Sequence, residues 1–289
     1  MRPILLYSHA DEPITKALLS STLIQKSDLI KLPLKALLNE VSIIDEFDNE
    51  EVKIDWTFQS GLRITNSKDF YLINRVISVP EEIFCDFSEE DRQYSISEFR
   101  AYLAFAIEAF PNSFSKPGAF GLSGNRFSLP RQWETIKSTK YPIETPNYYL
   151  GSMEFCTLQG NLVYTNPFDF YYWKPNHDLV DIDKASFVFL KPSGKPVVGS
   201  VLGDHVKIFC CDNSDEISET MHLLLKKNSL LISRLFDHPI AEILFFVEED
   251  NFIFGMISCI PYASNKKDWF PENIGRYFKD KLMEKNGKN

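Results

Sequence analysis

The chain has 289 residues, 44% hydrophobic and 25% charged, an ordinary globular composition that excludes wholesale disorder and exceeds one minimal core, so two or three packed lobes are expected. Its net charge is −9, and an acidic chain without a long basic stripe lacks the phosphate-neutralising charge on which nucleic-acid affinity rests. No apolar run reaches the roughly 20 residues that span a bilayer, and Met1-Arg-Pro-Ile-Leu-Leu-Tyr7 is too short a run for a signal peptide.

Ile4 to Tyr7 reads as a first strand, and Pro13 suits the first turn of a helix running through Ile14, Leu18, Leu19 and Leu23. Leu29 to Leu32 is a second strand and Leu34 to Glu40 a short helix or loop. Val52 to Phe58 alternates as a half-exposed strand, with Gly61 to Thr65 as its hairpin partner and Tyr71 to Val76 as a further strand. Strand, helix and strand in this order predict a small α/β lobe over 1–110. Its clearest helix is Tyr94 to Phe110, capped by Ser95 or Ser97, with Phe99, Tyr102, Leu103, Ala106, Ile107 and Phe110 at helical spacing.

The second lobe is expected over 111–289. It opens with a Gly/Ser/Pro-rich loop, Asn112 to Pro130, and a helix, Arg131 to Ser138, with Trp133 and Ile136 inward. A poorly patterned aromatic stretch follows, from Tyr148 to Trp173. Phe187 to Lys191, Pro196 to Leu202 and Val206 to Cys211 read as three strands of one antiparallel sheet. A long helix covers Glu216 to Asp237, and Asn273 to Glu284 closes the chain as an amphipathic one. Between them, Ile240 to Val247 and Phe252 to Ile260 flank the polar turn Glu248-Glu249-Asp250-Asn251, the pattern of a β-hairpin.

Motifs of independent chemistry are few. Gly194-Lys-Pro-Val-Val-Gly199-Ser200 lacks the lysine of a P-loop and sits among strands. Gly121-Leu-Ser123-Gly124-Asn125 fails the nucleophile elbow at its last position. His177, Asp178, Asp181 and Asp183 form an acidic cluster that reads as a solvated loop or as a divalent-ion site. Arg75 and Arg126 are candidate carboxylate-ligand forks, with structural ion pairing as the plainer role. The five cysteines (Cys85, Cys156, Cys210, Cys211, Cys259) lack Cys-x-x-Cys spacing and the five histidines are scattered, so reduced thiols in a cytoplasmic protein are expected and no zinc motif stands out.

The closing hairpin resembles that of the ATP-grasp superfamily, the glutathione synthetase and ribosomal-protein glutamate ligase type. The resemblance extends in element order through Leu72-Ile-Asn74-Arg75-Val76, Tyr94 to Glu98, Leu122 to Trp133 and Pro192 to Val206. It implies an α/β (α+β) fold, a small N-terminal lobe followed by an antiparallel-sheet lobe with packed helices. In that family the second hairpin strand carries Glu-x-Asn-x-x-Pro, whose oxygens hold the magnesium of Mg-ATP, and a further acid lies on the first strand. Here Met256 and Ser258 stand at the ligand positions of the second strand, and Glu242 is the one candidate on the first. Magnesium prefers hard oxygen, so the metal chemistry reads as lost.

The resemblance further implies two phosphate-gripping lysines and a Gly-rich flap. Lys174, within Tyr171-Tyr-Trp-Lys174-Pro, and Lys191, before Pro192-Ser-Gly, are the candidates for ATP phosphate; the plainer roles are a snorkelling lysine and a turn lysine. The stretch from Tyr141 to Phe187 is short for a full lid and holds only Gly151 and Gly160. Two readings follow. The first is a degenerate ATP-grasp-like protein, non-catalytic, binding a peptide, a carboxylate ligand or a protein partner, with no cofactor; Phe168 to Trp173 would then contribute exposed aromatics or pack between lobes. The second is an active ATP-dependent carboxylate–amine ligase using ATP and Mg2+ with a rearranged metal shell, in which Glu242, Glu248 or Asp250 would supply ligands and Lys174 and Lys191 would steady the phosphates.

Overall fold

The computed structural model describes residues 1–24, 29–47, 51–118, 121–141, 143–168, 185–211 and 217–286. They divide into two compact units, Met1–Asn125 with Asn265–Asn289, and Arg126–Ser264. Among the described residues no helix is long and apolar enough to cross a membrane.

The first unit begins with β1 (Arg2–Tyr7), α1 (Pro13–Ser20), β2 (Ile30–Pro33) and α2 (Leu34–Asn39). Short strands follow: β3 (Val41–Ile43), β4 (Glu46–Phe47), β5 (Val52–Lys53), β6 (Asp55–Phe58) and β7 (Arg63–Thr65). Then come β8 (Phe70–Arg75), α3 (Glu89–Glu108) and β9 (Ser113–Phe114). Strands β2-β1-β8-β9 form a sheet in that order, every pair parallel. Its central strands are near-continuous apolar runs, as a sheet covered on both faces requires: Ile4, Leu5, Leu6, Leu72 and Ile73 are all fully buried. Ile4, Leu6 and Leu72 share a core with Leu103, Ala106 and Ile107 of α3.

The predicted strand over Val52 to Phe58 is two strands with different partners: β5 pairs with β4, and β6 with β3 and β7. Buried Trp56 fastens this small sheet to α3 through a 2.7 Å hydrogen bond from Nε1 to the Tyr102 hydroxyl. Helix α3 starts earlier than its apolar spacing predicts. Ser88 is the cap, accepting from the Asp91 N–H, and Glu89, Glu90 and Asp91 fill the first turn. Those acids carry no hydrophobic signal, yet they suit the positive end of a helix dipole.

The second unit holds α4 (Leu129–Lys137), β10 (Tyr148–Ser152), β11 (Leu162–Tyr164), β12 (Ala185–Leu190), β13 (Lys195–Leu202), β14 (His205–Cys210), α5 (Glu219–Leu235), β15 (Ile240–Glu248) and β16 (Asn251–Ser258). Its two antiparallel sheets run β10-β12-β11 and β14-β13-β15-β16. This corrects the three-strand expectation: β12 belongs to the first of these sheets, β13 and β14 to the second. Local alternation specifies a strand but not its partner. Helix α5 covers one face of the larger sheet, where Leu225 and Ile232 share a core with Val197 and Val201. Gly199 lies on that face because a Cβ there would stand 2.1 Å from Ser229 Oγ.

Strand β16 is a sheet edge, and α4 supplies partners for it. Gln132 Nε2 donates to Ile257 O (3.1 Å) while its Oε1 accepts from Ile257 N (2.7 Å), and Trp133 Nε1 donates to Gly255 O (2.7 Å). The Phe254 N–H donates to Glu144 O at 2.8 Å. An otherwise open edge is thereby satisfied. The Trp133 ring also meets Phe189 at 5.2 Å between centroids, joining α4 to the smaller sheet.

The chain then returns to the first unit as α6 (Trp269–Asn286). Helix α6 packs on α1, with Gly275 leaving room for Ser21, whose Oγ would lie 2.2 Å from a Cβ there. Phe278 meets Phe114 edge-on at 5.0 Å.

Gln132→Ala strands both backbone groups of Ile257 in a buried setting, and a loss of about 2–4 kcal/mol is expected in denaturant unfolding. A change within about 0.5 kcal/mol in that measurement would show that water replaces the amide.

Candidate functional site

Two polar constellations stand out, one in each unit. In the first, β1 runs into a turn that ends at Glu12, the N-cap of α1, whose Oε2 accepts from the Thr15 N–H and hydroxyl, both at 2.8 Å. Arg75, the last residue of β8, reaches the same carboxylate through Nε at 3.2 Å and through Nη2. The side chains of Arg75 and Glu12 are 1% and 3% exposed, so this is a desolvated, bidentate ion pair. Arg75 Nη1 also donates to Ser123 Oγ at 3.3 Å, and that hydroxyl donates to Asn74 O at 2.8 Å. Asn74 Nδ2 in turn holds the carbonyls of Ser115 and Leu122. Asn74 and Arg75 thus fasten the loop after β9, and Arg75 occupies the ion-pair role.

Burial pushes the Glu12 carboxyl upward, but the Arg75 charge and the hydrogen bonds from Arg75 and Thr15 outweigh it and hold the group below its ordinary 4.5. A carboxyl depressed in the folded state contributes stability above its unfolded value and loses it as pH falls through the folded value. Arg75→Met is therefore expected to cost about 3–5 kcal/mol near neutral pH, because a buried carboxylate loses its partner. The double variant Glu12→Gln/Arg75→Met should lose much less and show a shallower fall in stability below pH 4.5. Additive single losses in a double-mutant cycle of urea melts would contradict the coupling.

In the second unit, cross-strand pairing lines up Lys207, Ser200, Glu242 and Ser258 across β14, β13, β15 and β16. The neighbouring row is Phe209, Val198, Leu244 and Met256. Directly paired residues share a face. Gly199 faces α5, so Ser200 and its row lie on the opposite face. Ser200, Glu242, Met256 and Ser258 are all buried, and Lys207 is exposed. The hairpin register thus brings together three of the sequence candidates, Glu242, Met256 and Ser258.

Two members of the row are bonded to the backbone that follows the hairpin, while the buried Ser200 hydroxyl has no hydrogen-bond partner among the described residues. Glu242 Oε2 accepts from the Ala263 N–H at 3.0 Å, and Oε1 from the Ser264 N–H. Ser258 Oγ accepts from the Ile260 N–H and donates to Ile260 O, both at 3.1 Å. Among the described residues no three His, Cys, Asp or Glu side chains gather closely enough to hold a metal ion.

Lys191 lies elsewhere in the same unit, exposed after β12, where its N–H donates to Asn161 O at 2.9 Å. Arg126, half-buried, opens the second unit. Lys174, the acidic cluster His177 to Asp183 and Asp169 to Trp173 of the aromatic stretch lie outside the described residues.

No family model matches the chain. No curated protein matches it in sequence. Solved structures do match. A RiPP-associated ATP-grasp ligase from Chryseobacterium gregarium, in complex with ADP and a leader and core peptide, superposes with a TM-score of 0.70 at 15% identity, over 99% of this chain and 97% of that one. Macrocyclase MdnC from Microcystis aeruginosa MRC, bound with precursor peptide MdnA, gives 0.69 at 12% identity over 98% and 100%. D-alanine-D-alanine ligase from Helicobacter pylori gives 0.56 at 14% identity over 96% and 98%. The chain has the ATP-grasp fold.

That fold implies Mg-ATP, so the donor set can be tested for fit. Magnesium demands near-octahedral hard oxygen. At the positions where the family's ligands would fall, the described hairpin offers one carboxylate, Glu242, bonded to two backbone N–H groups, one hydroxyl, Ser258, bonded to Ile260 just beyond its strand, and one thioether, Met256. Its other acids, Glu248, Glu249 and Asp250, lie at the turn. The donors at those ligand positions do not fit a magnesium shell. Glu12, Gln132, Ser200 and Lys207 were not singled out by sequence reasoning; Glu12 and Arg75 are 63 positions apart, and only Glu12-Pro13 gave a local signal, that of a helix start.

Proposed function

We propose that this protein is a peptide-binding, non-ligating member of the ATP-grasp fold. The observation that carries the reading is the Lys207-Ser200-Glu242-Ser258 row, with Met256 beside it: one carboxylate, already hydrogen-bonded, stands where metal-dependent phosphoryl chemistry needs several hard ligands. Neighbours in complex with leader or precursor peptides support a peptide as the ligand. So does the outward side of α5, where Leu223 is 60%, Leu224 39% and Leu235 41% exposed. Lys226 and Lys227 accompany Leu223 and Leu224, while Arg234 beside Leu235 is ion-paired with Asp204 at 2.9 Å. An apolar stripe edged with cations suits an acidic amphipathic helical segment, leucines against leucines and carboxylates against lysines.

Titration of the purified protein with ATP, with and without Mg2+, is expected to give no heat and no thermal stabilisation. Magnesium-dependent binding at micromolar ATP would instead overturn the non-ligating reading and direct assays to carboxylate and amine substrates. A synthetic helical peptide of Leu with Asp and Glu is expected to bind, with affinity reduced about tenfold or more by Leu223→Glu together with Lys227→Glu. Equal binding of a Leu/Lys counterpart would refute the charge match.

A further inference from the structure

We propose that Glu242 is a clasp, a positioning residue that fastens the segment leaving the hairpin, residues 259–264, onto the larger sheet of the second unit. The inference rests on the non-ligating reading and gives Glu242 the role that the missing metal shell leaves open.

Both members of the row on the last two strands act on this one segment. Glu242 accepts from Ala263 N and Ser264 N through separate oxygens, and Ser258, directly opposite, forms a closed ring with Ile260 through its hydroxyl. Glu242 is 1% exposed, and charge-assisted bonds to backbone N–H groups in a desolvated setting are among the stronger ones a carboxylate makes. Ala263 and Ser264 are the last residues of the second unit before the chain passes to the first at Asn265. The clasp therefore fixes where the chain departs, and the sequence places it on a strand rather than a loop, so its position is rigid.

The test is site-resolved hydrogen exchange with thermal unfolding, on wild type, Glu242→Gln and Glu242→Ala, each with and without ATP and Mg2+. In the Gln variant the Ala263 and Ser264 amides are expected to exchange about tenfold faster or more, while amides of β13 keep their protection. The melting temperature should fall by about 5 °C, with Mg2+ and ATP changing neither quantity. If the Ala variant does not fold, the Gln variant carries the comparison. Unchanged exchange at Ala263 and Ser264 in the Gln variant overturns the clasp, whatever the nucleotide result. Faster exchange in a Gln variant that binds Mg-ATP as the wild type does would uphold the clasp while refuting the non-ligating reading. Mg-ATP stabilisation of the wild type that the Gln variant loses, with exchange unaltered, would make Glu242 a ligand.

Discussion

The register between β15 and β16 is the constraint on which the second unit depends. It sets Glu242 opposite Ser258 and Leu244 opposite Met256, and because strand side chains alternate, a slip of β16 by one residue would send Ser258 and Met256 to the α5 face. The register is held from three sides. Strand β13 pairs along almost all of β15, Gln132 and Trp133 of α4 grip the outer edge of β16, and Glu242 ties down the chain as it leaves. A bulge between Leu244 and Phe245 lets Phe245 and Phe254 pair in the core beyond it.

On the non-ligating reading proposed for this protein, the same rigidity explains how the fold persists without the ligand set that usually accompanies it. In a metal site the hairpin carboxylates are held apart and require a cation. Here Met256 is buried in the core of the unit, and Glu242 accepts hydrogen bonds from two backbone N–H groups. On that reading, apolar packing and backbone hydrogen bonds hold the hairpin without coordination bonds. The outward leucines of α5 run against this logic of covering apolar surface, which is why they read as an interaction face.

In the first unit the analogous role falls to a buried ion pair. Arg75 sits at the end of a central parallel strand, and Glu12 at the start of the helix that follows the neighbouring strand, so the pair joins β8 to α1 where the sheet ends. Ser123 and Asn74 carry the same network into the loop after β9. Such a pair contributes specificity of arrangement more than net stability, since its desolvation offsets much of its attraction.

Much of the architecture was legible in the chain itself. The closing hairpin, the terminal amphipathic helix, the inward Trp133 and the element order that resembles ATP-grasp proteins all follow from periodicity and turn chemistry, which are local. The identities of Met256 and Ser258 were likewise readable, because a ligand's residue type is a property of one position. What tertiary structure decided is everything that depends on two distant positions at once: that β12 leaves the sheet of β13 and β14, that Arg75 meets Glu12, that Gln132 serves the edge of β16, and that Glu242 is committed to Ala263 and Ser264. A sequence states which groups can bond; only the folded chain, by excluding water and fixing register, states which of them do.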